Sequence, residues 1–489
     1  MVEVIPHWLD KQAELSPHET AIEIPNQHVV TFHQLRDESR RFARKLSNKG
    51  VSEGDHVAIH SNNSLDMVLG LHALSYLGAV AILLNTRLSE TELTYQLTDA
   101  NVSLVLTSVE AKQFIATVNQ SYQICTFEQV HLHNELAISL KKELNLDELF
   151  TIIYTSGTTG FPKGVQHTYG NHWWSAISSA LNLGLDHNDK WLVALPLFHV
   201  GGLSILIKSV IYGMPVYLME KFDVEQVDQG IKIDGVTIVS VVSVMLERLI
   251  DKLGESKYPA SFRCMLLGGG PASQTLLERA KKNDIPVFQT YGMTETSSQI
   301  ATLSQKYALT KIGSAGKSLF PAQLRIWKNG KIAVESEVGE IQVKGPMVSR
   351  GYYNNEIANQ KTFENDWLKT GDLGYLDQEG FLYVIDRRKD LIISGGENVY
   401  PAEIEGVLAA VPGIKEVGVI GKQDDEWGQI PVAFVVRINK ELSIEEILTY
   451  CRKHLAKYKI PKEIYFVPSL PRNASSKLVR YKLEGLLKK

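Results

Sequence analysis

The sequence predicts an α/β protein with a large N-terminal domain and a smaller C-terminal domain. The chain has 489 residues, more than one compact core normally holds. Strand-like apolar runs alternate with amphipathic helical patterns through the first half, which indicates layered and mostly parallel sheets. A charge run at 386–390 separates this part from a segment in which strands and helices also alternate, so a small α+β domain is expected at 391–489.

The composition excludes several classes of protein. A net charge of -4 argues against a general nucleic-acid binder. The three cysteines show no metal or disulfide spacing, which predicts a reduced, cytoplasmic compartment. Charged residues such as Glu3 and Asp10 predict no secretory leader. The apolar run 68–84 is interrupted by His72 and Gly78, so we expect a helix and a strand there rather than membrane insertion.

The first 150 residues are predicted to form scaffold. Capping-box patterns at 31–34 and 89–92 predict two helix starts, because each end residue can satisfy an amide of the other. Apolar runs at 56–59, 79–84 and 104–106 predict strands between the helices. No residue pattern in this part points to chemistry.

A loop rich in glycine and threonine follows the predicted strand 149–153. Its sequence is YTSGTTGFPKG, and its backbone amides and hydroxyls can wrap an anion, with Lys163 adding a positive charge. It departs from the P-loop pattern, because Pro162 precedes the lysine and Gly164 follows it. A phosphate-binding loop is predicted; a mobile surface turn is the alternative.

Three more predicted strands end in polar or glycine-rich turns, where open α/β sheets bind ligands. These turns are LPLFHVGG at 195–202, GGGP at 268–271 and QTYGMTET at 289–296. The glycines allow a flat base to approach the backbone, and Tyr291 can stack on its other face. Thr294 offers a hydroxyl to a phosphate, and Glu295 offers the oxygen that Mg²⁺ prefers beside phosphates. Each motif alone is weak, but together they predict a nucleotide cleft.

Residues 312–385 are rich in glycine and short strands, which predicts a small β subdomain. Within it Asp372 lies in the turn TGDLG and suits a pair of ribose hydroxyls, although an ordinary Asp-containing turn is about as common. From residue 439 onward the chain has 12 Lys/Arg against 5 Asp/Glu. This excess predicts that the C-terminal part forms a basic cap that covers a phosphate-binding site. A solvated lysine-rich surface is the alternative.

Seven separated motifs together resemble the adenylate-forming superfamily of acyl-CoA synthetases, peptide-synthetase adenylation domains and luciferases. They are YTSGTTGFPKG, LPLFHVGG, GGGPAS, YGMTET, TGDLG, DRRKDLIISGGENVYPAEIE and LPRNASSK. The resemblance spans nearly the whole chain. It implies an N-terminal domain at 1–386 that binds ATP and the acyl group, a hinge at 387–390, and a mobile C-terminal lid at 391–489.

The resemblance also implies roles for individual residues. The β- and γ-phosphates of ATP would be held by Thr155, Ser156, Gly157, Thr158, Thr159, Gly160 and Lys163. Adenine would be enclosed by Gly268, Gly269, Gly270, Pro271, Gln289, Tyr291 and Gly292, and the ribose held by Asp372 and Arg387. The catalytic residues would be Thr294, Glu295, His199 and Lys477. Thr294 would contact the α-phosphate, and Glu295 would bind Mg²⁺. His199 would lie beside the acyl group, and Lys477 would bridge the attacking carboxylate and the α-phosphate. Lys389 would be the hinge residue, and Gly395 and Gly396 would line the CoA tunnel.

Three positions depart from the superfamily pattern. Ser476 replaces the glycine usual before the catalytic lysine, which puts the conformation of that loop in doubt. Asp386 and Lys389 replace the frequent glycine and aspartate of the hinge motif. Lysine is a variant of that position in the superfamily, so we expect rotation about the hinge to be kept.

Within the superfamily, three runs are most similar to the o-succinylbenzoate–CoA ligases of menaquinone biosynthesis. They are GNHWWSAISSALNLG, LPLFHVGGLS and LAKYKIPK with LPRNASSK. This resemblance implies ATP, Mg²⁺, CoA and an aromatic carboxylic acid as ligands, and a homodimer or higher homo-oligomer. Another aryl or fatty acid–CoA ligase, an enzyme that loads a separate carrier protein, and a non-catalytic nucleotide-binding module are the alternatives.

Overall fold

The computed structural model describes residues 3–118, 122–155, 162–269, 272, 274–387, 391–438, 441–471, 478 and 480–487. The chain divides into two compact units. The first comprises Met1–Thr86, Asp99–Ile153 and Gly164–Ile385, and the second comprises Arg87–Thr98, Tyr154–Lys163 and Asp386–Lys489. The predicted domain bounds at 386 and 391 stay a prediction.

Helices occur throughout the described residues. The α-helices are Trp8–Leu15, Phe32–Asn48, Leu65–Leu77, Glu90–Asp99, Val109–Thr117, Phe127–Leu132, Tyr169–Leu183, Val200–Tyr212, Val224–Lys232, Ser243–Leu253, Gln274–Lys282, Glu356–Thr362, Pro401–Ala409 and Ile444–His454. Short 3₁₀ turns span Thr294–Thr296, Gln305–Tyr307, Lys457–Lys459, Arg480–Lys482 and Glu484–Leu486. None of these helices is both long and apolar enough to cross a membrane.

The predicted capping boxes are confirmed. The Gln34 amide donates to Thr31 Oγ1 at 3.2 Å, and the Thr31 amide donates to Gln34 Oε1 at 2.9 Å. Ser89 and Glu92 exchange the same two bonds at 3.4 and 2.8 Å before the helix Glu90–Asp99. Local sequence therefore determines where these helices begin.

One layer of the first unit is a sheet in which the described residues form seven strands. Its spatial order is Gly351–Tyr352, Lys163–Thr168, Leu149–Thr155, Val80–Leu83, His56–His60, Leu104–Thr107 and Gln123–Thr126. The last five strands pair in parallel. The carboxyl end of its strand Leu149–Thr155 leads into the predicted phosphate loop.

A larger sheet carries Gln289, Tyr291 and Asp372, three of the residues predicted to bind adenosine. Its order along the described strands is Lys331–Ile332, Gln323–Lys328, Gly339–Lys344, Trp367–Leu376, Leu382–Arg387, Ser314–Ser318, Ser298–Leu303, Val287–Met293, Cys264–Leu267, Ile238–Val241, Trp191–Val193, Val216–Leu218, Thr20–Ile24 and His28–Thr31, with Phe363–Glu364 beside Trp367–Leu376. The run from Val287–Met293 to Thr20–Ile24 is parallel, and its central strands are buried on both faces, as parallel strands covered by helices must be. The fold class predicted from the sequence is confirmed.

The strands of the predicted β subdomain continue this larger sheet rather than forming a separate one. Ser298–Leu303 pairs antiparallel with Val287–Met293 on one side and with Ser314–Ser318 on the other. Ser314–Ser318 then pairs with Leu382–Arg387. Asp372 is thereby carried on a strand of the same sheet as Tyr291. A short antiparallel pair, Val4–Pro6 with Glu143–Asn145, lies apart from both large sheets.

The C-terminal part of the second unit is the predicted α+β fold. Ile414–Asp424 and Gly428–Arg437 form a long antiparallel hairpin, and Glu463–Phe466 pairs in parallel with the second of these strands. The short strands Ile392–Ser394 and Glu397–Val399 complete this sheet as described. Its core is lined by Ile404 and Leu408 from the helix Pro401–Ala409 and by Ile447 and Cys451 from the helix Ile444–His454.

Candidate active site

Tyr291 and Asp372 meet in the first unit. The Tyr291 hydroxyl donates to Asp372 Oδ2 at 2.7 Å, and both side chains are buried. The Asp372 amide also donates to Thr370 Oγ1 at 3.1 Å. The prediction that Asp372 lies in a turn is wrong, because Thr370 and Asp372 both lie within the strand Trp367–Leu376. The sequence analysis placed both residues around the adenosine of ATP, and the structure brings them together.

Gln289 supplies a polar group that the described residues leave unsatisfied. It lies on the strand Val287–Met293, and its side chain is 8% exposed. Its Nε2 is buried and has no hydrogen-bond partner in the described part of the chain. Because a buried amide donor without a partner is costly, this atom is suited to donate to an acceptor on a ligand.

The glycines near Gln289 allow close backbone approach. Gly269 has φ +82°, a left-handed conformation that disfavours other residues. A Cβ on Gly292 would lie 1.9 Å from the Ser298 carbonyl oxygen, so no side chain fits there. Gly268 follows the strand Cys264–Leu267, which is the parallel neighbour of the strand that carries Gln289. Gly268 therefore lies beside Thr290, on the strand that carries Gln289.

The Thr294–Thr296 turn places Glu295 between two other segments. The Tyr352 hydroxyl donates to Glu295 Oε1 at 2.8 Å, and the Ser349 amide donates to the Glu295 carbonyl at 2.8 Å. Glu295 is 7% exposed. Its carboxylate is an oxygen donor of the kind Mg²⁺ takes together with substrate phosphates. The described residues contain no cluster of three acidic, histidine or cysteine ligands. Glu295 thus fits a magnesium ion that is shared with a nucleotide.

A buried histidine chain supports the backbone of Thr294. His167 Nε2 lies 2.7 Å from the Thr294 carbonyl, and burial lowers the pKa of His167 to about 4, although that hydrogen bond opposes the shift. The neutral ring must donate from Nε2, so Nδ1 accepts from Thr151 Oγ1 at 3.3 Å. Thr151 in turn accepts from His172 Nε2 at 3.0 Å. The sequence analysis assigned no role to His167 or Thr151.

His199 caps the helix Val200–Tyr212. Its carbonyl accepts from the amides of Gly202 and Leu203, and its ring meets Phe198 edge-on with centroids 4.8 Å apart. A Cβ on Gly202 would lie 2.3 Å from the Pro196 carbonyl oxygen, so the LPLFHVGG turn requires glycine there. The turn leaves the carboxyl end of the strand Trp191–Val193, as predicted.

Lys208, on the same helix, is a residue that the sequence analysis missed. It is 2% exposed, with Nζ 3.3 Å from Gln299 Oε1 and 5.1 Å from the centroid of the Trp191 ring. No carboxylate of the described residues forms an ion pair with it, and burial lowers the pKa of Lys208 to about 7. A buried lysine that pairs with no acid of the described residues has the charge and position to bind an anionic ligand. The available signal was a lone lysine in the apolar helix sequence VGGLSILIKSVIY.

The remaining described residues of the prediction lie in the second unit. Thr155 ends the strand Leu149–Thr155 and Lys163 begins the strand Lys163–Thr168. Gly395 and Gly396 form the turn between two strands, both with positive φ, and a Cβ on Gly395 would lie 2.8 Å from Trp427 Cε3. This turn needs glycine for packing; its role in a CoA tunnel stays a prediction.

Several predicted residues lie outside the described part of the chain. They are Ser156, Gly157, Thr158, Thr159, Gly160, Gly270, Pro271, Lys389 and Lys477. For Arg387 the backbone is described as the end of the strand Leu382–Arg387, and its side chain is not. The roles assigned to all of these residues stay predictions.

Comparison with known proteins agrees with this geometry. The family model for the AMP-binding enzyme matches residues 9–353, and the model for the AMP-binding enzyme C-terminal domain matches residues 403–477. The chain belongs to the AMP-binding enzyme family. The resemblance to adenylate-forming enzymes is confirmed.

Two relatives of this AMP-binding enzyme are similar over their full lengths. The 2-succinylbenzoate–CoA ligase of Oceanobacillus iheyensis is 56% identical, covering 99% of this chain and 100% of that protein. A double mutant of the o-succinylbenzoate CoA synthetase of Bacillus subtilis, solved with a product analogue, is 47% identical over 99% of both chains with a TM-score of 0.95. Structures of the B. subtilis enzyme with its acyl-adenylate intermediate and with ATP and magnesium are also 47% identical, each with a TM-score of 0.78. They cover 99% of this chain, and 99% and 100% of those chains respectively.

Proposed function

We propose that this AMP-binding enzyme is an ATP-dependent acid–CoA ligase that converts 2-succinylbenzoate to 2-succinylbenzoyl-CoA, a step of menaquinone biosynthesis. The relatives named for this activity support the reaction. The observation in the chain itself that carries the choice of acid is Lys208, a buried lysine that pairs with no carboxylate of the described residues.

The reaction has two steps. A carboxylate oxygen of the acid attacks the α-phosphorus of ATP, the bond to the β-phosphate oxygen breaks, and acyl-AMP and pyrophosphate form. The sulfur of CoA then attacks the acyl carbon, its proton passes to solvent, and AMP leaves with the former carboxylate oxygen. Adenylation is needed because oxide is a poor leaving group, whereas AMP is a good one. The protein contributes positioning and charge stabilisation.

Asp372, Tyr291 and Gln289 bind the adenosine in this proposal. The Tyr291 hydroxyl orients the Asp372 carboxylate, which accepts from the ribose hydroxyls, as acidic residues do in dinucleotide folds. The unsatisfied Gln289 amide donates to an acceptor on the purine. ATP binding thereby satisfies a donor that the described residues leave unpaired.

Glu295 holds Mg²⁺ beside the phosphates, and Tyr352 fixes its carboxylate. The bound ion neutralises charge on the phosphates. The neutral His167 donates a hydrogen bond to the carbonyl of Thr294 and so fixes the backbone there. From this fixed backbone the Thr294 hydroxyl can reach the α-phosphate. Lys477 is assigned to the same phosphate and to the attacking carboxylate by resemblance.

Lys208 pairs with the second carboxylate of the acid. 2-Succinylbenzoate carries two carboxylates, of which one reacts and the other stays anionic in the site. The buried Lys208 ammonium supplies the opposite charge. Its described neighbours are Gln299, Trp191 and the thiol of Cys264. A monocarboxylic aryl or fatty acid would leave Lys208 without an anionic partner among the described residues and the substrate, so the proposal predicts selection against such acids.

Incubation of the enzyme with ATP, Mg²⁺ and CoA tests the proposal, with product mass as the readout. The acids are 2-succinylbenzoate, 4-oxo-4-phenylbutanoate, which lacks the benzoate carboxylate, and decanoate. The expected result is a thioester of 2-succinylbenzoate formed at least about tenfold faster than the other two, on the scale of one buried charge contact. Acyl-AMP without a CoA thioester would favour loading of a carrier protein, and equal rates for all three acids would contradict the assignment of substrate.

Two further expectations belong to the same proposal. The three cysteines are all buried, which supports a cytoplasmic enzyme whose thiols stay reduced. Resemblance to the superfamily supports a homodimer or higher homo-oligomer. Sedimentation of the purified protein would measure the oligomeric state, and a single species of monomer mass would contradict it.

A further inference from the structure

The turn that carries Glu295 is followed by two residues in an unfavourable backbone conformation. Ser297 has φ +52° and Ser298 has φ +106°, a region that residues with a side chain rarely adopt. Such a conformation persists only where the surrounding structure holds it. The side chains that support the turn therefore bear on where the Glu295 carboxylate lies.

The helix Tyr169–Leu183 supports this turn through one face. Asn171 and Ser175 both lie on that face, because residues four apart are neighbours on a helix. Their side chains are buried, at 7% and 3% exposed. Ser175 Oγ donates to the Ser297 carbonyl at 2.6 Å, which is a direct bond from the helix to the turn. The contact of Asn171 with the turn is made through the segment 346–349.

Asn171 uses both ends of its side-chain amide. Its Oδ1 accepts from the Thr168 amide at 2.9 Å, as part of the capping box that begins the helix. Its Nδ2 donates to the carbonyls of Pro346 and Val348, each at 2.9 Å. Both Nδ2 hydrogens are thereby used within the protein. The capping bond fixes the orientation in which the amide presents them.

The peptide group between Val348 and Ser349 connects Asn171 to Glu295. Its oxygen accepts from Asn171 Nδ2, and its N–H donates to the Glu295 carbonyl at 2.8 Å. Because a peptide group is planar, a bond that fixes its oxygen also fixes the direction of its N–H. Two hydrogen bonds in series also polarise and strengthen each other. Asn171 therefore acts on the backbone of Glu295 through a single peptide group.

The segment that Asn171 holds also fixes the Glu295 carboxylate. The Tyr352 hydroxyl donates to Glu295 Oε1 at 2.8 Å, and both side chains are buried. The backbone and the carboxylate of Glu295 are thus both held from residues 346–352. A metal ligand needs such outer partners to keep its oxygen in place.

We propose that Asn171 is a positioning residue for the metal ligand: through the Val348–Ser349 peptide group it holds Glu295 where the carboxylate can bind Mg²⁺. This inference rests on the proposed function to the extent that Glu295 binds an ion shared with ATP. Asn171 acts through the backbone and supplies no ligand itself. Its loss lets the turn relax, so that the carboxylate holds the ion less tightly.

Two variants and one matched control test this path. Asn171→Asp keeps an oxygen that accepts from Thr168 and removes both Nδ2 donors. The negative charge that it adds would by itself strengthen the binding of a cation, so weaker binding cannot come from that charge. Asn171→Leu removes the donors without adding a charge. Thr168→Val, the control, removes the other bond of the same capping box and leaves both donors of Asn171 in place.

Calorimetry measures the dissociation constant of ATP with Mg²⁺ and with EDTA, in the absence of acid and CoA. We expect each Asn171 variant to weaken Mg-ATP binding about fivefold, a size typical of coupling through packed networks. Binding of metal-free ATP should stay within about twofold, whereas a general loss of structure would weaken both. Thr168→Val should bind both forms as the wild type does. In a Glu295→Gln background, Asn171→Asp should cause no further loss, because the ligand that it positions is gone.

Mg-ATP binding by Asn171→Asp within about twofold of wild type overturns the inference. Equal losses with and without Mg²⁺, or a further fivefold loss in the Glu295→Gln background, overturn it as well. Aspartate is favoured in the first turn of a helix, so this variant keeps the test decisive where Asn171→Leu fails to fold. A wild type whose ATP affinity is the same with and without Mg²⁺ contradicts the metal assignment in the proposed function. A wild type that responds to Mg²⁺, with Asn171 variants that respond equally, contradicts the inference alone.

Discussion

The pairing of Lys208 with the second carboxylate of the acid makes a quantitative prediction about pH. Burial lowers the pKa of Lys208 to about 7 in the protein without substrate, and an anionic acid binds the protonated form. The groups that face it are Gln299, Trp191 and the Cys264 thiol, whose pKa burial raises to about 12. These neighbours carry no charge between pH 6 and 9, so Lys208 is the group that titrates.

The size of the effect follows from the protonated fraction. With a pKa of about 7, Lys208 is roughly half protonated at pH 7 and about one tenth protonated at pH 8, so the apparent KM for the acid rises about fivefold between them. Below pH 7 the KM should level off, since the lysine is then mostly charged. The pKa of the ATP phosphates and of the CoA thiol affects the other two KM values, so the acid KM is the specific readout.

Initial rates from pH 6 to 9 with saturating ATP and CoA measure the acid KM. Lys208→Arg keeps the charge throughout this range and should flatten the profile. Lys208→Met should also flatten it and lower kcat/KM for 2-succinylbenzoate roughly a hundredfold, about 3 kcal/mol, because the second carboxylate then lies unpaired in the site. A wild-type KM that is flat from pH 6 to 9, or a methionine variant within about threefold of wild type, would refute the pairing.

Three other predictions concern the two half-reactions and the metal. Lys477→Ala should lower the rate of acyl-AMP formation about a hundredfold, the scale of one preorganised donor, while supplied acyl-AMP still reacts with CoA; equal losses in both assays would contradict this. Lys389→Pro should spare pyrophosphate exchange but block thioester formation, because proline stiffens the hinge; lost exchange would count against a hinge there. Tyr352→Phe should raise the Mg²⁺ concentration needed for half-maximal rate several-fold, because it releases Glu295 Oε1; an unchanged magnesium titration would show that the hydroxyl does not orient the metal ligand.

The signals that predict the nucleotide site are local. Gly269 and the capping of the helix after His199 follow from turns that a few adjacent residues determine, whereas Gly292 lies within the strand Val287–Met293. Strand ends with such turns point to the carboxyl edge of a parallel sheet, so the sequence alone predicts one site for Tyr291, Thr294 and Glu295, and that prediction stays a prediction. The pairing of Tyr291 with Asp372 was not predicted, because it depends on strands that are 81 residues apart.

Other features depend on burial, which the sequence does not show directly. Nothing in the sequence distinguishes Lys208 and Lys459 from exposed lysines. The basic C-terminal stretch suggested a solvated surface or a charged cap. The structure buries both, one beside Gln299 and the other between Glu92 and Glu403. The strands predicted for a separate β subdomain do form, but they belong to the larger sheet. Ser298–Leu303 joins them to it by pairing with a strand on each side, and no local sequence pattern predicts this pairing.

The fate of one oxygen atom tests most directly whether the reaction passes through an acyl-adenylate. Acid labelled with ¹⁸O in the reacting carboxylate is converted with ATP, Mg²⁺ and CoA, and the nucleotide and phosphate products are weighed by mass spectrometry. Attack on the α-phosphorus followed by thioester formation transfers one ¹⁸O to AMP and none to pyrophosphate. ADP with ¹⁸O in orthophosphate would show attack on the γ-phosphate, and AMP without label would exclude an acyl-adenylate; either result contradicts the account.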